Sequence, residues 1–457
     1  MSFSHDVADL VAASNDSLHA AADWWQRIPL GEVCDILNGF PFQSHYFNDS
    51  QGAPIIRIRD VTSGACATFY SGAIPEGYWV EPSDMVVGMD GDFNCRLWPS
   101  APGLLNQRVC KLIPHEDFLD KEFLSYSLPG YLRLINDHTH SITVKHLSSK
   151  TIAEIPFPLP PRAEQRRLVA KLNSLFERTR RAREELSHIP RLIENYKKAI
   201  LEAAFRGDLV KATPYQDWKT RRIEEISKVG TGATPKRGIG KYYDNGTIPW
   251  VTSGAVNQQK IESAEEYITQ SALDETNCKV FPSGTLLVAM YGEGLTRGKV
   301  AILEIDAATN QALAAIQLEK NDLVSNEYLF WFLQSNYLAL RALAAGGVQP
   351  NLNLGIIKGI QVPIPPLDDQ QLIVEKIKSA MDWLKIVDSE QEQAAHLLTY
   401  LDQANLAKAF RGELVHQEPN DEPASVLLYR IRGQRAGETR SKRGRRGSAA
   451  TAQEAMA

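Results

Sequence analysis

Residues 155–210 read IPFPLPPRAEQRRLVAKLNSLFERTRRAREELSHIPRLIENYKKAILEAAFRGDLV, and residues 360–415 read IQVPIPPLDDQQLIVEKIKSAMDWLKIVDSEQEQAAHLLTYLDQANLAKAFRGELV. The two stretches align without a gap at a constant offset of 205. Pro160-Pro161 fall on Pro365-Pro366, Gln165 on Gln370, Val169 on Val374 and Lys171 on Lys376. At the far end Phe205-Arg206-Gly207-Asp208-Leu209-Val210 fall on Phe410-Arg411-Gly412-Glu413-Leu414-Val415. A repeat of this length governs every other reading of the chain.

Each copy opens on a proline-rich stop that ends a preceding domain and starts a helix. In the first copy Leu168, Leu175, Ala182, Ile189 and Tyr196 recur every seven residues, with Leu172, Thr179, Leu186, Ile193 and Ile200 four residues on. That is an a/d heptad seam, which asks for a partner helix. The second seam holds Ile373, Ile377, Ala380, Leu384, Val387, Ala394, Leu398 and Leu401, with Gln391 and Asn405 as polar insertions. Gly207 and Gly412 supply the C-terminal stops. Pro190 removes one helical hydrogen bond and is expected to kink or break the first rod.

Charge indicates the pairing. From Arg162 to Lys211 thirteen Lys/Arg stand against seven Asp/Glu; from Asp368 to Glu413 five stand against nine. Opposite net charge favours pairing of these two helices with each other. A helix of roughly 43 residues is about 65 Å long at ~1.5 Å per residue, enough for a rigid spacer between two globular domains. The alternatives are an ordinary interdomain linker or a homodimerising coiled coil.

The segments before each copy also match, more loosely. Trp25 with Ile28, Glu32 and Val33 resembles Trp218 with Arg221, Glu225 and Ile226; Pro82-Ser83 resembles Pro282-Ser283. Val86-Val87 resembles Leu286-Leu287, Asn106-Gln107 matches Asn310-Gln311, and Glu122-Phe123-Leu124 matches Glu327-Tyr328-Leu329. The offset drifts from 193 to 205 between these anchors, as loops of unequal length on one scaffold would make it. Short β-like runs (54–58, 85–87, 247–251 and 285–288) punctuated by Gly, Asn and Asp, then helices around 117–136 and 324–344, read as two α+β domains. The fold class is therefore α+β: two globular domains joined by two long antiparallel coiled-coil-like helices, with pseudo-twofold internal repetition. Copies that keep the connecting segment and diverge in the globular part share a structural role and differ in what they recognise.

The loops carry side chains suited to phosphates and base edges. Candidates are Gln43, Ser44, Arg57, Arg59, Arg96, Lys145 and His146 in the first domain. In the second they are Lys236, Arg237, Lys241, Thr252, Tyr291, Arg297, Lys299, Gln349 and Asn351. The chain as a whole, 457 residues with a net charge of −5, gives no global support for nucleic-acid binding, so any such site must be local. No apolar run reaches the length of a membrane span, and the N-terminus lacks the pattern of a signal peptide. Five cysteines without a CxxC pair fit reduced thiols and a cytoplasmic setting.

Over roughly residues 20–417 the chain resembles the specificity subunit of Type I restriction–modification systems. The duplicated proline-proline, acidic-Gln, long-helix, Phe-Arg-Gly-Asp/Glu-Leu unit carries the resemblance. So do the openings Asn38-Gly39-Phe40-Pro41-Phe42-Gln43-Ser44 and Gly232-Ala233-Thr234-Pro235-Lys236, the latter followed by Ile248-Pro249-Trp250-Val251-Thr252. The resemblance implies target recognition domains at 21–158 and 213–363, and helical spacers at 159–212 and 364–417. Residues 1–20 are set aside as an N-terminal segment, and 418–457 as a basic, disordered tail with Arg435, Arg440, Lys442, Arg443, Arg445 and Arg446. It also implies that each domain reads half of a split double-stranded DNA target, while the helices fix the spacer and dock two methyltransferase subunits. Motor–nuclease restriction subunits would join that assembly. The seam residues Leu168, Leu172, Leu175, Leu186, Ile193, Ile373, Ile377, Leu384, Leu398 and Leu401 would serve helix pairing or partner docking. S-adenosylmethionine, ATP and Mg²⁺ are expected on partner subunits, and no cofactor, metal or catalytic residue on this chain.

The motifs of an enzyme are missing. Gly230-Thr231-Gly232 leads into Ala-Thr-Pro and reads as a turn; no Asn/Asp-Pro-Pro-aromatic motif accompanies it. Gly298-Lys299 lacks both the Ser/Thr and the first Gly of a phosphate loop. His138, His140 and His146 have no paired Cys or spaced carboxylates to complete a metal site. The alternatives kept open are a methyltransferase or nuclease with an unrecognised motif, a non-catalytic helical scaffold, and an orphan sequence-specific DNA-binding protein.

Overall fold

A computed structural model of the chain describes residues 6–139, 145–210, 213–291, 296–319, 323–345, 352–423 and 425–433. The chain divides into two compact units. The first combines residues up to Glu184 with those from Ala394 onward, and the second is Glu185–Gln393.

In the first unit the strand Gln26–Pro29 pairs antiparallel with Pro156–Leu159, bringing the entrance of the domain to its exit. Prolines lack the N–H that a further strand would need, and this sheet stops at two strands. Beyond it lies an antiparallel sheet in the order Cys34–Asn38, Val109–Pro114, Met85–Gly88, Cys95–Leu97. A five-stranded sheet follows in the order Phe47–Asn48, Phe69–Tyr70, Ala53–Ile56, Gly103–Leu105, Trp79–Val80. Its centre is a parallel pair, with Ile55 opposite Leu104 and Ile56 opposite Leu105. The helix Lys121–Asp137 buries Phe123, Leu124, Leu128, Tyr131 and Ile135, spaced to cover one helical face.

The second unit repeats the plan. Lys219–Arg222 pairs with Gln361–Ile364. Ser227–Thr231, Leu313–Leu318 and Leu286–Ala289 form an antiparallel core flanked by Val300–Leu303 and Lys260–Ile261. Ile248–Val251 runs parallel to Ala307–Thr309 in the other sheet. Asn326–Ser335 and Tyr337–Ala345 stand where the sequence places its helical stretch at 324–344.

The two repeated segments are the helices Arg162–Phe205 and Leu367–Phe410, each 44 residues long. Within the first unit Thr179 Oγ1 donates to Asp402 at 2.8 Å and Arg183 pairs with the same carboxylate at 2.6 Å. Within the second, Tyr196 packs on Trp383 with ring centroids 5.9 Å apart, and Lys376 Nζ donates to the Leu209 carbonyl at 2.6 Å. The helical segments run antiparallel in each unit, and the basic helix meets the acidic one as their charges require.

Three expectations are corrected. Pro190 does not break the first helix, which runs through it. A proline inside a helix costs about 3 kcal/mol, through one lost hydrogen bond and the clash of its ring with the preceding turn, and the seam residues on either side hold the backbone helical. Second, the segment from 418 is not disordered throughout. Residues 425–433 are helical and bury Leu427, Leu428 and Ile431 in the core of the first unit, while Arg167 grips the Asp421 carboxylate with both terminal guanidinium nitrogens. The apolar side chains at 427, 428 and 431 lie on one helical face, a spacing hidden beside the basic run that follows. Those basic residues, Arg435 to Arg446, lie outside the described residues. Third, the N-terminal segment from residue 6 belongs to the same core: the helix Val7–Ala13, capped by Asp6, buries Val7 and Val11.

All five cysteines are free, and burial pushes the thiols of Cys34, Cys66, Cys95 and Cys110 up to about 12. No described helix is long and apolar enough to cross a membrane.

Candidate nucleic-acid interface

The paired glutamines of the repeat fasten each long helix to its own domain. Gln165 Nε2 donates to the carbonyls of Phe118 (2.8 Å) and Pro160 (2.9 Å), while Oε1 accepts from the Asp120 N–H (2.7 Å). Gln370 makes the same set with Leu323 (2.7 Å), Pro365 (2.9 Å) and the Ser325 N–H (3.0 Å). Asp120 and Ser325 cap the domain helices that follow them. Both glutamine side chains are buried, and all of their polar atoms are satisfied by backbone groups. The sequence shows the two glutamines as equivalent, but not what they hold.

The far ends of the long helices are equally matched. Phe205 packs edge-on against Tyr328 at 5.4 Å, and Phe410 against Phe123 at 6.4 Å, both pairs related by the repeat offset. Leu168, Leu172, Ile193, Ile373, Ile377 and Leu384 are buried; Leu175, Leu186 and Leu398 are half-buried. Leu401 is exposed instead, and Asp402 takes the facing position. A 3.6-residue helix drifts off a strict seven-residue repeat over several turns. Leu401 then joins an exposed set: Leu192 is 61% exposed, Tyr196 48%, Leu397 66% and Leu401 48%. Leu192 and Leu397, and Tyr196 and Leu401, are equivalent pairs in the repeat.

In the first unit a cleft of about 650 Å³ opens beside the parallel strand pair, where Ser44, Arg57, Arg59, Asn94, Gln107 and Arg108 line it. Asn94, Gln107 and Arg108 were not among the sequence candidates. Arg108 lies 3.0 Å from Asp90, and Asp90 also receives His146 Nδ1 at 2.6 Å. Arg59 donates to Thr68 Oγ1 at 2.7 Å and lies 3.8 Å from Asp60. Arg96 turns away onto the carbonyls of Val61 and Thr62, and Lys145 onto Asn136. Gln43 is exposed.

The second unit places Arg237 over the rings of Tyr243 and Trp250, at 5.3 and 5.1 Å, with its guanidinium paired to Glu266. Lys241 pairs with Glu275 at 2.6 Å and holds that carboxyl below its ordinary value. Lys236 and Tyr291 are exposed, Arg297 is half-buried, and Lys299 donates to Asn257 at 2.8 Å. Asn257 ends the short helix that begins after Thr252. Gln349, Asn351 and His140 lie outside the described residues. Among the described residues no three His, Cys, Asp or Glu gather as metal ligands. Gly232 is a packing residue: a Cβ there would lie 1.8 Å from the Thr309 carbonyl oxygen. Gly39 meets Asn106 in the same way, at 2.0 Å.

This duplicated frame coincides with a family pattern. The model of the Type I restriction modification DNA specificity domain matches twice, over residues 23–190 and 215–395. The chain belongs to that family. It is 33% identical to the Type I restriction enzyme EcoBI specificity subunit of Escherichia coli, across 98% of this chain and 100% of that protein. The EcoKI specificity subunit of Escherichia coli K12 is 22% identical, across 93% of this chain and 98% of that one. Among solved structures, the HsdS subunit from Thermoanaerobacter tengcongensis superposes with a TM-score of 0.58 at 21% identity, covering 86% of this chain and 97% of that one. A chain from a study of assembly and conformational transition in a type I R-M system gives 0.63 at 20% identity, covering 86% and 99%. These likenesses place the fold of the specificity family on this chain.

Proposed function

We propose that the chain is the DNA sequence-specificity subunit of a Type I restriction–modification complex, each unit reading one half of a bipartite double-stranded target. The observation that carries this is a shared frame with divergent side chains at its equivalent positions. The glutamine latches, the helix ends and the packing glycines repeat, while the side chains beside each parallel strand pair differ. The helices set the spacer between the half-sites.

Two methyltransferase subunits dock on the helices. The exposed apolar pairs Leu192/Tyr196 and Leu397/Leu401 support this, because a duplicated surface suits two copies of one partner. The chain itself performs no chemistry. S-adenosylmethionine, ATP and Mg²⁺ act on the methyltransferase and motor–nuclease subunits.

The test is to co-express the chain with its methyltransferase and map methylated bases genome-wide. A split motif that disappears on deletion of this chain is expected; methylation indifferent to the deletion defeats the reading. Exchanging residues 20–158 for another recognition domain should then change one half of the motif only.

A further inference from the structure

The two units present one backbone position in the same way and fill it differently. Arg57 directly follows the strand Ala53–Ile56, and Thr252 directly follows Ile248–Val251. Each strand is paired in parallel with its counterpart, Gly103–Leu105 or Ala307–Thr309, and each counterpart leads into Asn-Gln. The backbone agrees closely, with φ −105° and ψ 168° at Arg57 and φ −106° and ψ 170° at Thr252. The carboxyl ends of two adjacent parallel strands bring their loops side by side, a geometry that often makes a binding crevice.

The Arg57 side chain is held yet uncommitted. Its guanidinium carbon sits 5.9 Å from the centroid of the Phe47 ring, and the Arg57 N–H is tied to Asp60 at 2.9 Å. The other arginines of the cleft have acidic neighbours: Arg59 has Asp60 and Arg108 has Asp90. Among the described residues the Arg57 guanidinium has neither a carboxylate nor a hydrogen-bond acceptor. Five N–H donors on a planar fork, steadied by a ring and facing an open cleft, match the O6 and N7 acceptors on the major-groove edge of guanine.

We propose that position 57 determines specificity in the first unit: Arg57 reads a guanine in the first half-site, and Thr252 withholds that contact from the second. This rests on the specificity-subunit reading above. Thr252 keeps one hydroxyl and too little reach for a bidentate contact, so equal frames read unequal bases.

The test uses the assembled complex of this chain with its methyltransferase subunits, on DNA libraries randomised in each half-site. For Arg57→Ala, discrimination at one base pair of one half-site should fall roughly tenfold to a hundredfold, with the other half unchanged. Unchanged preferences in both halves would overturn the proposal. So would a uniform loss on every sequence with a shallower salt dependence, the mark of a phosphate contact. Should Arg57→Ala fail to assemble, Arg57→Met keeps the apolar stem beside the Phe47 ring and removes every donor of the fork. It should lose the same discrimination, and retained discrimination counts against the idea. A wild-type complex without a split preference defeats the specificity reading itself; a split wild-type motif with indifferent Arg57 variants defeats this inference alone.

Discussion

The second unit is made from one unbroken run of chain and the first from two, yet their junctions are the same. Gly207 ends its helix with φ +84° and lies against Tyr215 and Trp218, which follow it in sequence. Gly412 ends the other helix with φ +74° and lies against Ala22 and Trp24, which precede it by most of the chain. Contact geometry has been kept while connectivity has not. What the repeat duplicates is a set of tertiary contacts, and the peptide link is dispensable to it.

The segment 418–433 is where the comparison can be strained hardest, because the repeat assigns it no counterpart helix in the second unit. Leu427→Ala should destabilise the first unit by about 3 kcal/mol, within the usual cost of truncating a buried leucine. Hydrogen exchange resolved by region reads it, and equal loosening of residues 213–291 would show that the units do not respond separately. Next come the latches. Gln165→Ala and Gln370→Ala each strand one buried N–H and two carbonyls, so each should cost about 2–3 kcal/mol in denaturant titration. Costs that differ by more than about 1 kcal/mol would break the equivalence of the two junctions.

Asp421→Asn is a smaller cut, expected to cost about 2 kcal/mol because it weakens a partly buried ion pair. The Arg167 guanidinium holds the Asp421 carboxyl below its ordinary value. The wild type's advantage should therefore be full above the unfolded value, near 3.8, and fade as pH falls through the lower folded value. Parallel melting curves at pH 7 and in acid check this. Glu164 behaves oppositely. Burial raises its carboxyl, partly offset by the indoles of Trp25 and Trp24. Its contribution is present below about 4.5 and lost as pH rises through the raised folded value. Glu164→Gln should thus be neutral in acid and slightly stabilising at neutral pH; a loss at neutral pH would mean the charge is used.

Periodicity made the long helices and the two α+β domains legible in the sequence, since each of those signals is local, and the opposite charge of the two helices pointed to their pairing with each other. The heptad series placed Leu168, Leu172, Ile373 and Ile377 correctly in the core, and drifted off it at the equivalent positions Tyr196 and Leu401, where a strict seven-residue count departs from the helix. The cleft of the first unit was legible in part. Ser44, Arg57 and Arg59 come together, but Arg96 and Lys145 spend their charge on backbone and amide oxygens. Nothing along the chain distinguishes an arginine that ties down its own fold from one left free. Asn94 and Arg108 reach the cleft from the turns that precede the strands Cys95–Leu97 and Val109–Pro114, a proximity set by sheet order alone.

The split construction of the first unit has a consequence for synthesis. Residues 185–393 hold everything the second unit needs, so it can close while later codons are still being read. The first unit cannot: Phe123 waits for Phe410, Trp24 for Gly412, and Arg167 for Asp421. A chain released between residues 393 and 433 would carry one finished unit and one with its core open to water. Such a product advertises its own incompleteness to the proteases that survey new chains.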